Sequence, residues 1–234
     1  MDKRTIIGAA CIVSIGLYSL GWTIKTGIVA FKDRDRIVTV KGLAEREVKA
    51  DKVTWPLVYK ELGNDPMETY NLLERKNQKV VAFLKNAGIK DSEIIVNPPS
   101  ISDRQADNYG NDILNYRYKA TSVITVTSTD VEKVTSLIRR QTDLMKQGVA
   151  IVNDEYGNSI NYDFTGLNTI KPAMVEEATR NARATAEKFA EDSGSDLGNI
   201  RTAYQGQFSI EDRDANTPFI KRVRVVTTIE YNLE

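Results

Sequence analysis

The chain has 234 residues, 41% hydrophobic and 27% charged, with 32 lysines and arginines against 32 aspartates and glutamates. A formal net charge of +0 leaves neither the basic excess of a nucleic-acid binder nor the acidic excess of a solvating tail, so no nucleic-acid partner is expected. There is no histidine and a single cysteine, Cys11, which removes the usual general base, the commonest metal ligand, an intrachain disulfide and a thiolate zinc site.

From Thr5 to Ile24 the chain reads TIIGAACIVSIGLYSLGWTI, without a charge. At 1.5 Å per residue such a helix covers roughly the 30 Å hydrocarbon core of a bilayer. Tyr18 and Trp22 fall near its far end, where amphipathic rings favour the headgroup level, and Lys25 follows where an ammonium snorkels to water. The expectation is one N-terminal transmembrane helix that touches lipid through Thr5, Cys11, Tyr18, Trp22 and Ile24. A cleaved signal peptide competes, with Lys3 and Arg4 as a basic start and Ile28-Val29-Ala30 as a small-residue cleavage site. The run is longer than a usual signal core, which favours an uncleaved anchor. A lipoprotein reading at Cys11 is weaker, because Gly8 stands three residues before it. Lys25, Lys32, Arg34 and Arg36 outnumber Lys3 and Arg4, so charge counting alone favours the reverse of an exported orientation. Ala10 and Ser14 form a small-xxx-small pair of the kind that lets helices associate.

About 200 residues remain, enough for one large domain or two small ones. In VTVKGLAEREVKADKVTW, Val38, Val40, Gly42, Ala44, Val48 and Ala50 share one parity and Thr39, Lys41, Glu45, Glu47 and Lys49 the other, the pattern of a half-buried strand. Parity changes across Asp51-Lys52, and Val53, Trp55, Leu57 and Tyr59 form a second apolar face. A tight turn near Ala50-Asp51 is therefore expected to make a hairpin, with Pro56 pushing the second strand toward an edge or a bulge. Asp65-Pro66-Met67-Glu68 reads as a helix start with an aspartate cap, and Tyr70, Leu73, Val80, Val81 and Leu84 line one side before Gly88. Ile94 to Ile101 and Leu114 to Val126 read as strands around the polar loop QADNYGND.

From Asp130, the stretch VEKVTSLIRRQTDLMKQG predicts one helix with Val131, Val134, Leu137, Ile138, Leu144 and Met145 inward, ending at Gly148. Short strands near Val149–Val152 and Ile160–Phe164 flank the turn signal Tyr156-Gly157-Asn158. A helix is expected over Pro172–Asp192, with Ala178, Ala182, Ala186 and Ala190 as a close-packing stripe, followed by strands near Ile200–Ile210 and Phe219–Tyr231. Strand pairs between amphipathic helices predict an α+β fold with largely antiparallel sheets. Residues 1–36 form the anchor or signal segment and residues 37–234 the folded portion, either one domain or two subdomains meeting near Gly148.

Little in the residues marks chemistry. Gly42 lacks the further glycines and Lys-Ser/Thr ending of a phosphate loop, so its expected role is a bend or close approach in a strand. No Gly-x-Ser-x-Gly elbow is present. The carboxylate pairs Asp154-Glu155, Glu176-Glu177 and Glu191-Asp192 have the look of solvated surface, so a hydrolase is the weakest reading. DNYGND alternates oxygen-bearing side chains but lacks the register of a calcium loop. No catalytic, cofactor or metal residue is singled out. Tyr109 and Tyr156, on loops, are the candidate contact surface for a subunit or ligand.

VTVKGLAEREVKADKVTW resembles the opening signature of the SIMPL-domain family, to which YggE-like bacterial envelope proteins belong. VEEATRNARATAEKFAEDSGSDLGNI, from Val175 to Ile200, and the terminal RVRVVTTIEYNLE are similar to the family's C-terminal part. The resemblance covers nearly everything after Arg36 and carries no catalytic residue. It implies an α+β domain on the periplasmic side of the bacterial inner membrane, a link with envelope or oxidative stress defence, and large ring-like, cage-like or channel-like homo-oligomers. The expected function is thus a non-enzymatic, single-pass envelope protein that self-assembles, with lipid and further copies of itself as partners. The alternative is a periplasmic ligand-binding or chaperone-like module that uses the tyrosine-bearing loops.

Overall fold

The computed structural model describes residues 3–33, 36–106, 115–152 and 157–234, with the backbone alone for residues 3–6, 9–11 and 29–33. In chain order these form α1 (Lys3–Asp33), β1 (Ile37–Lys49), β2 (Lys52–Gly63), α2 (Pro66–Asn86), β3 (Ile94–Val96), β4 (Ser100–Asp103), β5 (Tyr118–Ser128), α3 (Val131–Arg139), α4 (Thr142–Lys146), β6 (Asn161–Asp163), α5 (Leu167–Asp192), β7 (Leu197–Gln205), β8 (Ser209–Asp212) and β9 (Ile220–Leu233). One sheet has the order β1-β9-β7 with β8 also on β9, and the other the order β3-β5-β2-β6 with β4 also on β5. Pairing is antiparallel in β2–β5, β2–β6, β3–β5, β4–β5 and β7–β9, so the α+β expectation is met. The chain divides into two compact units, Met1–Arg46 with Thr169–Ser209 and Val223–Glu234, and Glu47–Asn168 with Ile210–Arg222. Gly148 lies inside the second unit, just after α4.

In the first unit, β1 alternates as its sequence demands, with Val40, Gly42 and Ala44 buried and Thr39, Lys41, Leu43 and Glu45 exposed. Ala178, Ala182, Ala186 and Ala190 are all buried, and Ala182 and Ala186 pack with Val40, Ile229 and Tyr231. Such small side chains let the backbones of α5 and β1 come close. A Cβ on Gly42 would overlap the carbonyl oxygen of Ala178 and lie 2.5 Å from the Ala182 nitrogen and 2.9 Å from the Ala182 Cβ. Gly42 is therefore a contact point for a helix backbone, a role with no connection to phosphate. Asn181 Nδ2 donates to the Leu43 carbonyl at 2.8 Å, and Arg46 pairs with Glu177 at 3.1 Å, which fixes the helix along the strand.

The second unit is built on an unbroken register between β2 and β5, from Val53↔Ser128 to Gly63↔Tyr118. Trp55, Leu57 and Tyr59 stand opposite Val126, Ile124 and Ser122, and this face packs with Leu73, Val80 and Leu84 of α2, Val134 and Leu137 of α3 and Leu144 of α4. Full burial of such side chains is worth about 1.5–3 kcal/mol each. Asp65 caps α2 through its side chain, which accepts from the Glu68 N–H at 2.7 Å, and Pro66 takes the first helical position. The buried stripe of α2 is Thr69, Leu73, Asn77, Val80 and Leu84; Tyr70 is exposed.

Several sequence expectations are corrected. The strands on either side of Ala50-Asp51 do not form a hairpin, because β1 pairs with β9 while β2 pairs with β5 and β6. Ala50 donates to the Phe219 carbonyl and Asp51 to the Asp163 carbonyl, both at 2.9 Å, so the corner is held by partners far along the chain. Pro56 causes no bulge and β2 is interior in strand order. Val58 accepts from the Val152 N–H at 2.7 Å, so Pro56, two residues away, directs its donor-less nitrogen to that same flank, between this bridge and the β6 ladder at Lys52–Thr54. The strand expected over Ile94–Ile101 is two strands, since Pro98 and Pro99 cannot donate to β5. The helix expected from Asp130 is α3 and α4; no apolar residue lies between Ile138 and Leu144, and the chain tightens there, with Arg140 donating to Leu137 and Gln141 to Ile138. α5 starts ahead of Pro172 because the Asp51 carboxylate accepts from the Thr165 and Gly166 N–H groups at 2.8–3.0 Å just before its first turn.

The apolar N-terminal run is helical throughout α1, as expected. Among the described residues, no helix is long and apolar enough to cross a membrane. A helical conformation is thus established there and a bilayer crossing does not follow from it.

Candidate functional site

Every described side chain of α1 from Ile12 to Ile28 is exposed. Tyr18, Trp22 and Ile24 are among them, with the Tyr18 and Trp22 rings 6.3 Å apart; Thr5 and Cys11 lie on the same helix, and their side chains are outside the described residues. Three hydroxyls on α1 are satisfied within the helix. Ser19 donates to the Gly16 carbonyl, Thr23 to Ser19 and Leu20, and Thr26 to Trp22 and Thr23, at 2.9–3.1 Å. The described surface of the helix is predominantly apolar, and these three hydroxyls need no outside partner.

Tyr109 and Tyr156, the expected contact surface, lie outside the described residues. Where the β4–β5 loop leaves the sheet, Arg117 binds Asp103 through Nε at 3.1 Å to both oxygens and through Nη2 at 2.7 Å. This fork holds the Asp103 carboxyl below the usual carboxylate range, and the same guanidinium lies 5.2 Å from the Tyr118 ring. Of the carboxylate pairs, Glu176 and Glu177 face Arg180 and Arg46, and Glu191 and Asp192 face Lys188; Asp154-Glu155 is outside the described residues. These are surface ion pairs. Among the described residues no group of three or more Cys, Asp and Glu is placed to hold a metal ion.

Two further surfaces were not marked by any local signal. Among the described residues β7 pairs with β9 alone and ends its sheet, with Ile200 53% and Tyr204 69% exposed, so it presents apolar side chains next to a strand edge. The second is a cavity of about 500 Å³ in the second unit. One wall is the face of α3 bearing Val131, Glu132, Thr135, Ser136 and Arg139; the other is Lys49, Ala50 and Phe219, with Thr129 and Asp130 at the entry to the helix. The Phe219 ring is set by an edge contact to Tyr162, centroids 6.2 Å apart, and its carbonyl is bonded to Ala50. Asp130 caps α3 at the Lys133 N–H and pairs with the Lys133 ammonium at 3.0 Å, which lowers its carboxyl below the usual range. Lys49 and Glu132 pair at 2.9 Å. Phe219 lies 169 positions after Ala50, and helical spacing on α3 names only one wall, so this site was out of reach of the sequence.

No curated protein matches the chain. The family model described as "SIMPL: Protein of unknown function (DUF541)" matches residues 38–231, from within β1 to within β9, and the chain belongs to the SIMPL family.

Proposed function

We propose that this SIMPL protein is a non-enzymatic, membrane-anchored envelope protein whose folded portion self-assembles into a large ring-like or cage-like homo-oligomer. The observation that carries the proposal is the surface of α1: a 31-residue helix with exposed Ile12, Val13, Ile15, Leu17, Leu20 and Trp22 and self-bonded hydroxyls needs an apolar cover. A bilayer supplies that cover, with the folded portion on the periplasmic side. The open β7 edge, the absence of histidine and the assembly habit implied by the family resemblance support the rest of the reading. A role in envelope or oxidative stress defence is part of the same proposal and rests on that resemblance alone.

The test is the mass of the full-length chain. It should resist extraction from membranes by alkaline carbonate and, in detergent, run as a discrete multimer by mass photometry. Release by carbonate would remove the anchor, and a monomer across micromolar concentrations would remove the assembly. A second reading, a periplasmic ligand-binding module, is favoured by the cavity beside α3 rather than by the tyrosine-bearing loops.

A further inference from the structure

We propose that the cavity between α3 and the Lys49–Ala50 corner is a binding site for a small organic acid, a monocarboxylate with a flat apolar body. Its volume of about 500 Å³ falls within the roughly 300–1,000 Å³ of small-molecule sites. The lining has an apolar part and a charged part. Ala50 and Val131 are almost fully buried and, with Phe219, form an apolar surface on which a ring can lie. Because Phe219 is held by Tyr162 and by its own carbonyl bond to Ala50, this surface exists before any ligand arrives.

The charges decide the rest. Asp130 is committed to Lys133 and to the α3 cap, and Glu132 to Lys49. Arg139 is the remaining charge lining the cavity and has no side-chain partner among the described residues. Its guanidinium matches a carboxylate in shape, through two parallel bonds. A spare donor points the same way. Thr135 Oγ1, which lines the cavity, and the Tyr162 hydroxyl, which does not, are 3.3 Å apart and share one hydrogen; when Tyr162 donates it, the Thr135 hydrogen is left for a ligand. Ser136 is already donating to the Lys133 carbonyl at 2.7 Å. One surplus cation and a free hydroxyl hydrogen suit a single carboxylate. A polyphosphate would face Asp130 and Glu132 with too few cations, and a cationic ligand would meet Arg139. The assignment stands apart from the assembly reading: either can fail alone.

The probe is 2-naphthoate, with 2-naphthamide as its neutral counterpart, added to the full-length protein in detergent against matched empty detergent and followed by calorimetry and saturation-transfer NMR. The naphthoate should bind saturably at least tenfold more tightly than the amide. Arg139→Gln, at the exposed end of α3, should bring the acid down to the amide's affinity while far-UV dichroism and melting stay unchanged, and Arg139→Lys should restore part of the difference. Equal affinity for acid and amide on the unaltered protein, no saturable binding at millimolar concentrations, or an Arg139→Gln variant that binds the acid as before would each overturn the proposal.

Discussion

Replacing Gly42 by alanine tests the central contact of the first unit. The new Cβ would meet the Ala178 carbonyl oxygen, the Ala182 nitrogen at 2.5 Å and the Ala182 Cβ at 2.9 Å. Overpacking costs about 1–3 kcal/mol where side chains can yield. Here two of the three obstructing atoms belong to the backbone of α5, so the whole helix must move off β1. A gap of about 0.5–1 Å already forfeits a quarter to a half of each contact's attraction, and the loss extends to Ala182 and Ala186 against Val40 and Ile229. The upper end, about 3 kcal/mol, is therefore expected, which at about 2–4 °C per kcal/mol for a chain of this size is a fall in Tm of about 6–12 °C. Urea unfolding followed by far-UV dichroism would show a lower midpoint at unchanged slope. Adding Ala182→Gly removes one obstructing atom and leaves the two backbone ones, so it should rescue only part of the loss. A Gly42→Ala change below about 0.5 kcal/mol, the range of an ordinary surface substitution, would refute the close approach.

Asp51→Ala should cost about 2 kcal/mol, since the carboxylate accepts from the Thr165 N–H and hydroxyl and from the Gly166 N–H; Asp51→Asn should lose less, and an alanine variant as stable as the asparagine one would remove the carboxylate from the α5 start. Burial pushes the Tyr59 hydroxyl up from 10.0 to about 12. The folded value is the raised one, so its contribution is complete below about pH 10 and is lost as pH climbs through 12, by about 2–3 kcal/mol. Tyr59→Phe should flatten that alkaline limb in a stability-against-pH series, and an unchanged limb would assign it to other groups. The Asp214 carboxyl is lowered to about 2, first by the Thr217 hydroxyl and then by Arg213, and it accepts from the Asn216 and Thr217 N–H groups at 2.9 Å. The amide shifts of those two residues should titrate near pH 2 by NMR; a midpoint at the ordinary 3.8 would show that the turn is open in solution.

Local elements were legible because their causes are local. The alternation of Val40, Gly42 and Ala44 produced a half-buried strand, Asp65-Pro66 a capped helix start, and the four alanines from Ala178 to Ala190 a buried stripe. Gly88 and Gly194 follow α2 and α5 with φ of 83° and 65°, the left-handed conformation that ends a helix at little cost for glycine. The errors arose where an element's neighbour is distant. Parity identified β1 and β2 correctly and said nothing about their partners, and short range suggested a hairpin where two sheets exist. On α2 the apolar count favoured Tyr70, but the sheet instead buries Asn77, whose side-chain oxygen accepts from the Tyr59 and Ser122 hydroxyls.

By itself, then, the amino-acid sequence determined the family, through the resemblance of its motifs, and the α+β class, the helical apolar N-terminus and which face of β1 and α5 is buried, since these last three follow from side-chain periodicity or from residues adjacent in the chain. Tertiary structure alone decided that Gly42 lies against the backbone of α5, that the β1–β2 corner is held by Phe219, Asp163, Thr165 and Gly166, and that Arg139 shares a cavity with Ala50 and Phe219. These pairings join residues more than a hundred positions apart, except for Arg139 with Ala50 and with Phe219, which are 89 and 80 apart. No local propensity selects among the many partners available at such separations. The selection comes from burying both faces of contact at once, and that exists only in the folded chain.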